Sequence, residues 1–173
     1  RGFFRKMNDI SKGFLNNVLK EIMSVVKAEC GSLFVFDSKN NELVLDSFYN
    51  SEKPYIKIKG LRKKVGEGIS GKVVELKMPV LVRNLDNDSR FKRNGYGHYH
   101  TSSFISIPLF CSGGPLGLIN IADKSSGKPF SKQDLEFALT LSKYASISVE
   151  NMLLNKQVNL LTEKRLENTS KQE

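Results

Sequence analysis

The sequence predicts an α+β domain, with a central antiparallel β-sheet set between an N-terminal and a C-terminal helix. Three observations carry this. Apolar residues at three- and four-residue steps mark amphipathic helices near both ends. Between them, short runs rich in aromatic and β-branched residues alternate with tight turn signals, the pattern of antiparallel hairpins. Finally, the glycine-rich turn GEGISG at 66–71 opens onto a helix too short to be the crossover of a parallel sheet.

The first helix is expected over 3–27, where Phe3, Met7, Ile10 and Phe14 are followed by Leu15, Leu19, Ile22 and Val26. Gly31 is expected to end the transition into a strand at 32–37. A turn at 39–41 then leads to a second strand at 42–48, and a third short strand is placed at 55–59. After the glycine turn, a short helix stops at Pro79, because proline lacks the N–H and restricts the residue before it. Residues 79–82 read as an apolar strand-like segment. The stretch 84–103 is polar and aromatic without periodicity, and such long loops are usually functional. Strands at 104–110 and 116–122 flank a turn at 112–115, with Gly117 inside the second where backbone or ligand comes close. The last helix starts at Ser131, whose N-cap role is supported by Asp134 three residues on. Thr140, Tyr144, Ile147, Asn151, Leu154, Val158 and Leu161 recur at alternating four and three, a heptad-type seam with Asn151 as its polar position. The part beyond Asn151 has little domain left to cover it, so a partner helix is expected there.

GEGISG has the G-x-G-x-x-G spacing of a dinucleotide loop, but its flanks argue against that use. The preceding KIKGLRKKV is basic and broken by Gly60, whereas a strand buried on both faces should be continuously apolar. Asp86 and Asp88 lie at a suitable distance but within a loop. What survives is a tight turn into a helix N-terminus, where exposed N–H groups and the dipole favour an anion.

With 173 residues, 39% hydrophobic and 26% charged, the chain suits one soluble domain plus an extension. No apolar run approaches the ~20 residues of a membrane span, and RGFFRKMNDI lacks a signal-peptide core. Starting at Arg1 rather than methionine, the chain is expected to be cut from something larger. Cys30 and Cys111 read as small core hydrophobes. The net charge of +9 includes basic clusters at Lys57, Lys59, Arg62, Lys63, Lys64 and at Arg90, Lys92, Arg93. Without a recognisable module or interleaved aromatics these read as solvated surface with a mild pull on anions, and no nucleic-acid partner is expected.

The element order, together with VGEGISGKVVELKMPVLVRNLDNDSRF (65–91), SIPL (106–109) and GPLGLINIADKSSGKPFSKQDLE (114–136), resembles the GAF domain over roughly residues 15–155. The resemblance implies a GAF-like sensor module, with terminal dimerisation helices on one sheet face and a ligand pocket on the other, fused to an output domain. In GAF domains that bind cyclic nucleotides, a small polar residue near the base corresponds to Ser32, and a purine-stacking aromatic to Phe48. N–H groups facing the phosphate correspond to Ile69 and Ser70, a threonine before the next strand to Thr101, and a polar strand residue to Asn120. The loop adds Phe91 and Tyr96 as candidate contacts. The N-K-F-D-E signature of that subclass is met at Lys124, Phe130 and Asp134 but not at Asp123 or Leu135, and Tyr49 replaces a polar contact. A Lys124–Asp134 pair would brace the pocket from outside. Another small organic ligand, or none, stays open.

HYH at 98–100 invites a haem or metal reading, through His98 or His100, against plain lid histidines; a structural metal would want further ligands nearby. A bilin attachment is excluded because no cysteine lies between Cys30 and Cys111. The cysteine-free loop argues equally against the sulfoxide-reductase chemistry of some GAF domains. The resulting expectation is a regulatory, non-catalytic and cytoplasmic sensor, requiring no cofactor or metal. It binds a cyclic nucleotide, cAMP before cGMP on the strength of Asn120, dimerises through its terminal helices and controls an output such as a diguanylate cyclase. The expected organisation is an N-terminal helix at 1–30, sheet and pocket at 31–130, and C-terminal helix with signalling linker at 131–173.

Overall fold

The computed structural model describes residues 9–51, 60–91 and 101–170. In chain order these form α1 (Asp9–Val26), β1 (Ala28–Asp37), β2 (Glu42–Asn50), β3 (Arg62–Lys64), α2 (Gly68–Leu76) and β4 (Val80–Val82). A 3-10 turn at Leu85–Asn87 follows, then β5 (Phe104–Cys111), β6 (Gly114–Lys124) and α3 (Lys132–Ser170). The six strands make one sheet in the order β3-β2-β1-β6-β5-β4, with antiparallel pairing throughout. The parallel-sheet setting that a dinucleotide loop requires is therefore absent from this sheet.

Both terminal helices cover the same face. Leu15, Leu19, Ile22 and Val26 of α1 and Ala138, Ala145 and Val149 of α3 pack against Leu33, Ile105, Ile107, Ile119 and Ile121. On the other face, Val73 and Val74 of α2 close over Cys30, Phe34, Leu43, Leu45, Phe104 and Leu118. The central strands are thus covered on both sides, which is why β5 and β6 read as apolar runs and not as strict alternation.

Two local features differ from the sequence expectation, at Gly31 and at Arg62–Lys64. Gly31 does not end the transition; it lies inside β1, and the turn is made earlier, at Lys27, in the left-handed region with φ 59. A Cβ at Gly31 would stand 2.3 Å from Met23 Sδ, so the glycine serves the close seating of α1 on the strand. The strand expected at 55–59 lies outside the described residues. A third strand does occur at Arg62–Lys64, within the stretch whose basic character argued against a buried strand. It is an edge strand, where charged side chains discourage further pairing. Arg62 Nη1 bridges Asp37 at 2.9 Å and Glu42 at 3.0 Å. With help from Asn40, Arg62 draws the Asp37 carboxyl down to about 2.

Gly117 behaves as expected: a Cβ there would meet the Phe34 carbonyl oxygen at 2.1 Å, so β1 and β6 approach closely at this point. At the start of α3, Ser131 N–H donates to Asp134 Oδ2 at 2.7 Å while Asp134 N–H donates to Ser131 Oγ at 3.1 Å, a reciprocal capping box. The buried residues of α3 are Ala138, Ser142, Ala145, Ser146 and Val149. The heptad seam lies elsewhere on the helix: Tyr144 is 70% exposed, Ile147 59% and Val158 60%. From 154 to 170 every residue is exposed, so roughly 25 Å of helix extends beyond the sheet. No described helix is long and apolar enough to cross a membrane.

Candidate ligand site on the second face of the sheet

The register of the central strands sets Phe48 beside Ser32, Ser32 beside Asn120, and Asn120 beside Ser106. Opposed residues of paired strands share a face. These four therefore form a row across β2, β1, β6 and β5, on the side where α2 packs. Asn120 Nδ2 donates to Ser32 Oγ at 3.3 Å and to Ser70 Oγ at 3.4 Å, and Ser106 Oγ donates to Asn120 Oδ1 at 2.5 Å. All four polar side chains are buried. Three of the expected site residues, Ser32, Ser70 and Asn120, come from distant parts of the chain and meet here. Ser106 was not singled out. Its signal was a hydroxyl inside the apolar run FISIPLF, where a buried polar group demands a partner.

Ser70 belongs to the first turn of α2, and the glycines before it make that turn. Gly66 and Gly68 have φ of +87 and +61, and a Cβ at Gly71 would strike the Lys64 carbonyl oxygen at 2.3 Å. The first helical bond runs from Gly71 N–H to Glu67 O at 3.1 Å, so the N–H groups of Gly68, Ile69 and Ser70 precede the ladder. The N-cap Glu67 makes no side-chain capping bond. Its carboxylate accepts instead from Lys64 N–H at 3.4 Å. The positive end of α2 is thus left without a side-chain cap, beside the buried hydroxyls. Lys63 stands opposite Leu43, which places it on the same sheet face. Burial lowers its ammonium below the usual lysine range, with the Glu67 carboxylate opposing.

Phe48 and Ile69 are half-buried and pack on the α2-side core. Phe91 is fully part of that core: it meets Phe104 edge-on at 6.2 Å, with the Arg90 guanidinium 5.5 Å from its ring centroid. Tyr96, His98 and His100 lie outside the described residues. Among the described residues, no three His, Cys, Asp or Glu side chains gather in a way that could hold a metal ion.

Thr101 is tied to the end of β6. Its N–H donates to Asp123 Oδ1 at 2.7 Å and its Oγ1 lies within reach of Asp123 Oδ1 at 3.1 Å and the Ser103 carbonyl oxygen at 3.3 Å, so its bonds go to these groups and not to the Asn120 cluster. Asp123 sits in the left-handed region with φ 57, and its buried Oδ2 has no hydrogen-bond partner among the described residues. Burial, reinforced by this carboxylate, pushes the Cys30 thiol up to about 12. Both cysteines are free thiols. One residue on, Lys124 Nζ reaches Asp134 Oδ2 at 2.6 Å, the pair that the sequence suggested, and so links the sheet end to the cap of α3.

A sequence model of the GAF domain family matches residues 11–150. Among solved structures, the second GAF domain of DevS from Mycobacterium smegmatis superposes with a TM-score of 0.69 at 15% identity, covering 86% of this chain and 99% of that one. The GAF domain of a two-component sensor histidine kinase from Bacillus halodurans gives 0.65 at 18% identity, covering 87% and 99%. The GAF domain of a phosphoenolpyruvate-protein phosphotransferase (ptsP) from Coxiella burnetii gives 0.58 at 22% identity, covering 85% and 96%.

Proposed function

The chain belongs to the GAF domain family, regulatory sensor domains of many signalling proteins, and on that premise we propose that it binds a cyclic nucleotide on the α2 face of its sheet. The observation that carries this reading is the convergence of Ser32 and Ser70 on Asn120 beside the uncapped first turn of α2, with Phe48 one strand away. A preformed seat of N–H and O–H donors suits a single phosphate charge, and a flat aromatic beside it suits a purine. The sequence argument for cAMP over cGMP relied on Asn120 addressing an adenine edge. Three hydroxyls now surround that amide, so the order of the two nucleotides rests on measurement. Calorimetry of the chain with each nucleotide tests the reading; no heat and no change in melting temperature across a nucleotide panel would overturn it in favour of a ligand-free dimerisation module.

On the same reading the domain is a cytoplasmic homodimer joined through α3, and it regulates a fused output domain such as a diguanylate cyclase. The exposed seam of Tyr144, Ile147, Leu154, Val158 and Leu161 supports the pairing. Ligand binding shifts a pre-existing balance between two arrangements of α3 by binding one of them more tightly. Leu154→Glu with Leu161→Glu is expected to convert the dimer to a monomer in light scattering while leaving the sheet's melting transition in place. A dimer that persists in this variant would remove α3 as the contact.

A further inference from the structure

We propose that Asn120 is a positioning residue of this site and not one of its ligand contacts: it ties the first turn of α2 to the sheet through Ser70. The inference rests on α2 being the ligand seat, as argued above. A primary amide has two N–H donors and one carbonyl oxygen with two lone pairs. Three of these four places are taken, by Ser32, Ser70 and Ser106. Asn120 is also enclosed from both sides, since β1 and β5 both pair with β6 at its position. Both of its N–H groups already have acceptors, so a nucleobase acceptor would have to displace one of the serines to be read by them, and the one place left is the second lone pair of Oδ1.

The partners show what the amide accomplishes. Ser32 and Ser106 belong to the two flanking strands, so they fix the amide to the rigid centre of the sheet. Ser70 belongs to the helix, whose contacts with this face through Ile69, Val73 and Val74 are apolar and non-directional. The Asn120–Ser70 bond therefore sets where along the sheet the α2 N-terminus stands. Ser70 also accepts through its oxygen, which leaves its own O–H hydrogen to point toward a ligand. Selectivity between bases then comes from groups other than Asn120, while the affinity for any ligand seated on α2 depends on it.

Two measurements on the 173-residue chain test this. Amide hydrogen exchange in Asn120→Ala is expected to speed up about tenfold or more at residues 69–73, with the amides of β5 and β6 changing far less. Calorimetry is expected to show cAMP and cGMP weakened by the same factor, about tenfold, which equals about 1.4 kcal/mol. A change of more than about threefold in the ratio of the two affinities would identify Asn120 as a base contact and overturn the proposal. Unchanged exchange at 69–73 would overturn it as well. Should Asn120→Ala fail to fold, Ser70→Ala removes the same tie from the helix side, and Ser106→Ala loosens it from behind; both are expected to accelerate exchange at 69–73. If the parent chain binds neither nucleotide, the functional proposal falls while the exchange experiment still decides whether the tie exists.

Discussion

Replacing Asp134 by alanine removes two things at once, and the geometry gives each a size. The carboxylate completes the capping box of α3, accepting from Ser131 N–H at 2.7 Å and from Ser131 Oγ at 2.9 Å. Losing such a cap costs about 1 kcal/mol. It also holds Lys124 Nζ at 2.6 Å, in a pair whose side chains are only 21% and 14% exposed. A charge-assisted bond of this kind contributes about 1.5–3 kcal/mol net, and the low end applies because Lys124 can swing into solvent once released. The sum is about 2–3 kcal/mol, or about 5–10 °C in melting temperature for a domain of this size. Burial pushes the Asp134 carboxyl up, but the bonds from Lys124 and Ser131 outweigh it and hold the group below the ordinary carboxylate range. A depressed folded-state value stabilises fully above the unfolded carboxyl's pKa of about 4, and the contribution is lost as the pH falls through the folded value. Urea unfolding followed by circular dichroism at pH 7, and then in steps from pH 5 to pH 3, reads both quantities. Taking the difference between parent and variant cancels Asp37, which loses its own stabilisation in the acid range. A difference below about 0.5 kcal/mol at pH 7, or one that does not shrink on acidification, would refute this account.

Further outcomes follow from the same contacts. Gly117→Ala drives a methyl into the Phe34 carbonyl oxygen at the sheet centre and is expected to cost at least about 3 kcal/mol, read as loss of the cooperative melt. Gly13→Ala, at an exposed helical position with nothing within 4 Å, is expected to raise stability by about 0.5–1 kcal/mol in urea titrations. Ser142 is buried and its Oγ has no hydrogen-bond partner among the described residues, so Ser142→Ala is expected to be neutral or to stabilise by about 0.5 kcal/mol, and a clear loss of stability would contradict this. With its thiol pushed up to about 12, native Cys30 is expected to react with a disulfide reagent at pH 8 at a small fraction of the rate of free cysteine; full reactivity before unfolding would contradict its burial.

Much of this domain was legible in residue patterns because local chemistry fixed it. The capping pair Ser131 and Asp134, the four- and three-residue steps of α1 and α3, and the two hairpins each arise from contacts within a few residues. The errors came where a distant element decided. Gly31 looked like a boundary, but the proximity of Met23 made it a strand residue. The basic stretch 62–64 looked unfit for a strand buried on both faces, but it forms an edge strand, where Arg62 and Lys64 stay exposed and Arg62 pairs with Asp37 and Glu42. In the site, Ser32, Phe48, Ser70 and Asn120 could be chosen by residue type through a family resemblance. Their roles could not, because a hydrogen-bonding side chain's role depends on which of its places are already filled.

By itself, the sequence determined most of the elements, the exposed seam of α3, and a glycine turn ready to present N–H groups. Those follow from periodicity and from backbone conformations that only glycine adopts freely. Tertiary structure alone decided that Asn120 is enclosed by Ser32, Ser70 and Ser106, and that Thr101 is bound to Asp123. Strand order brings residues 50 to 88 positions apart within a hydrogen bond of one another, and no local pattern encodes which of them meet.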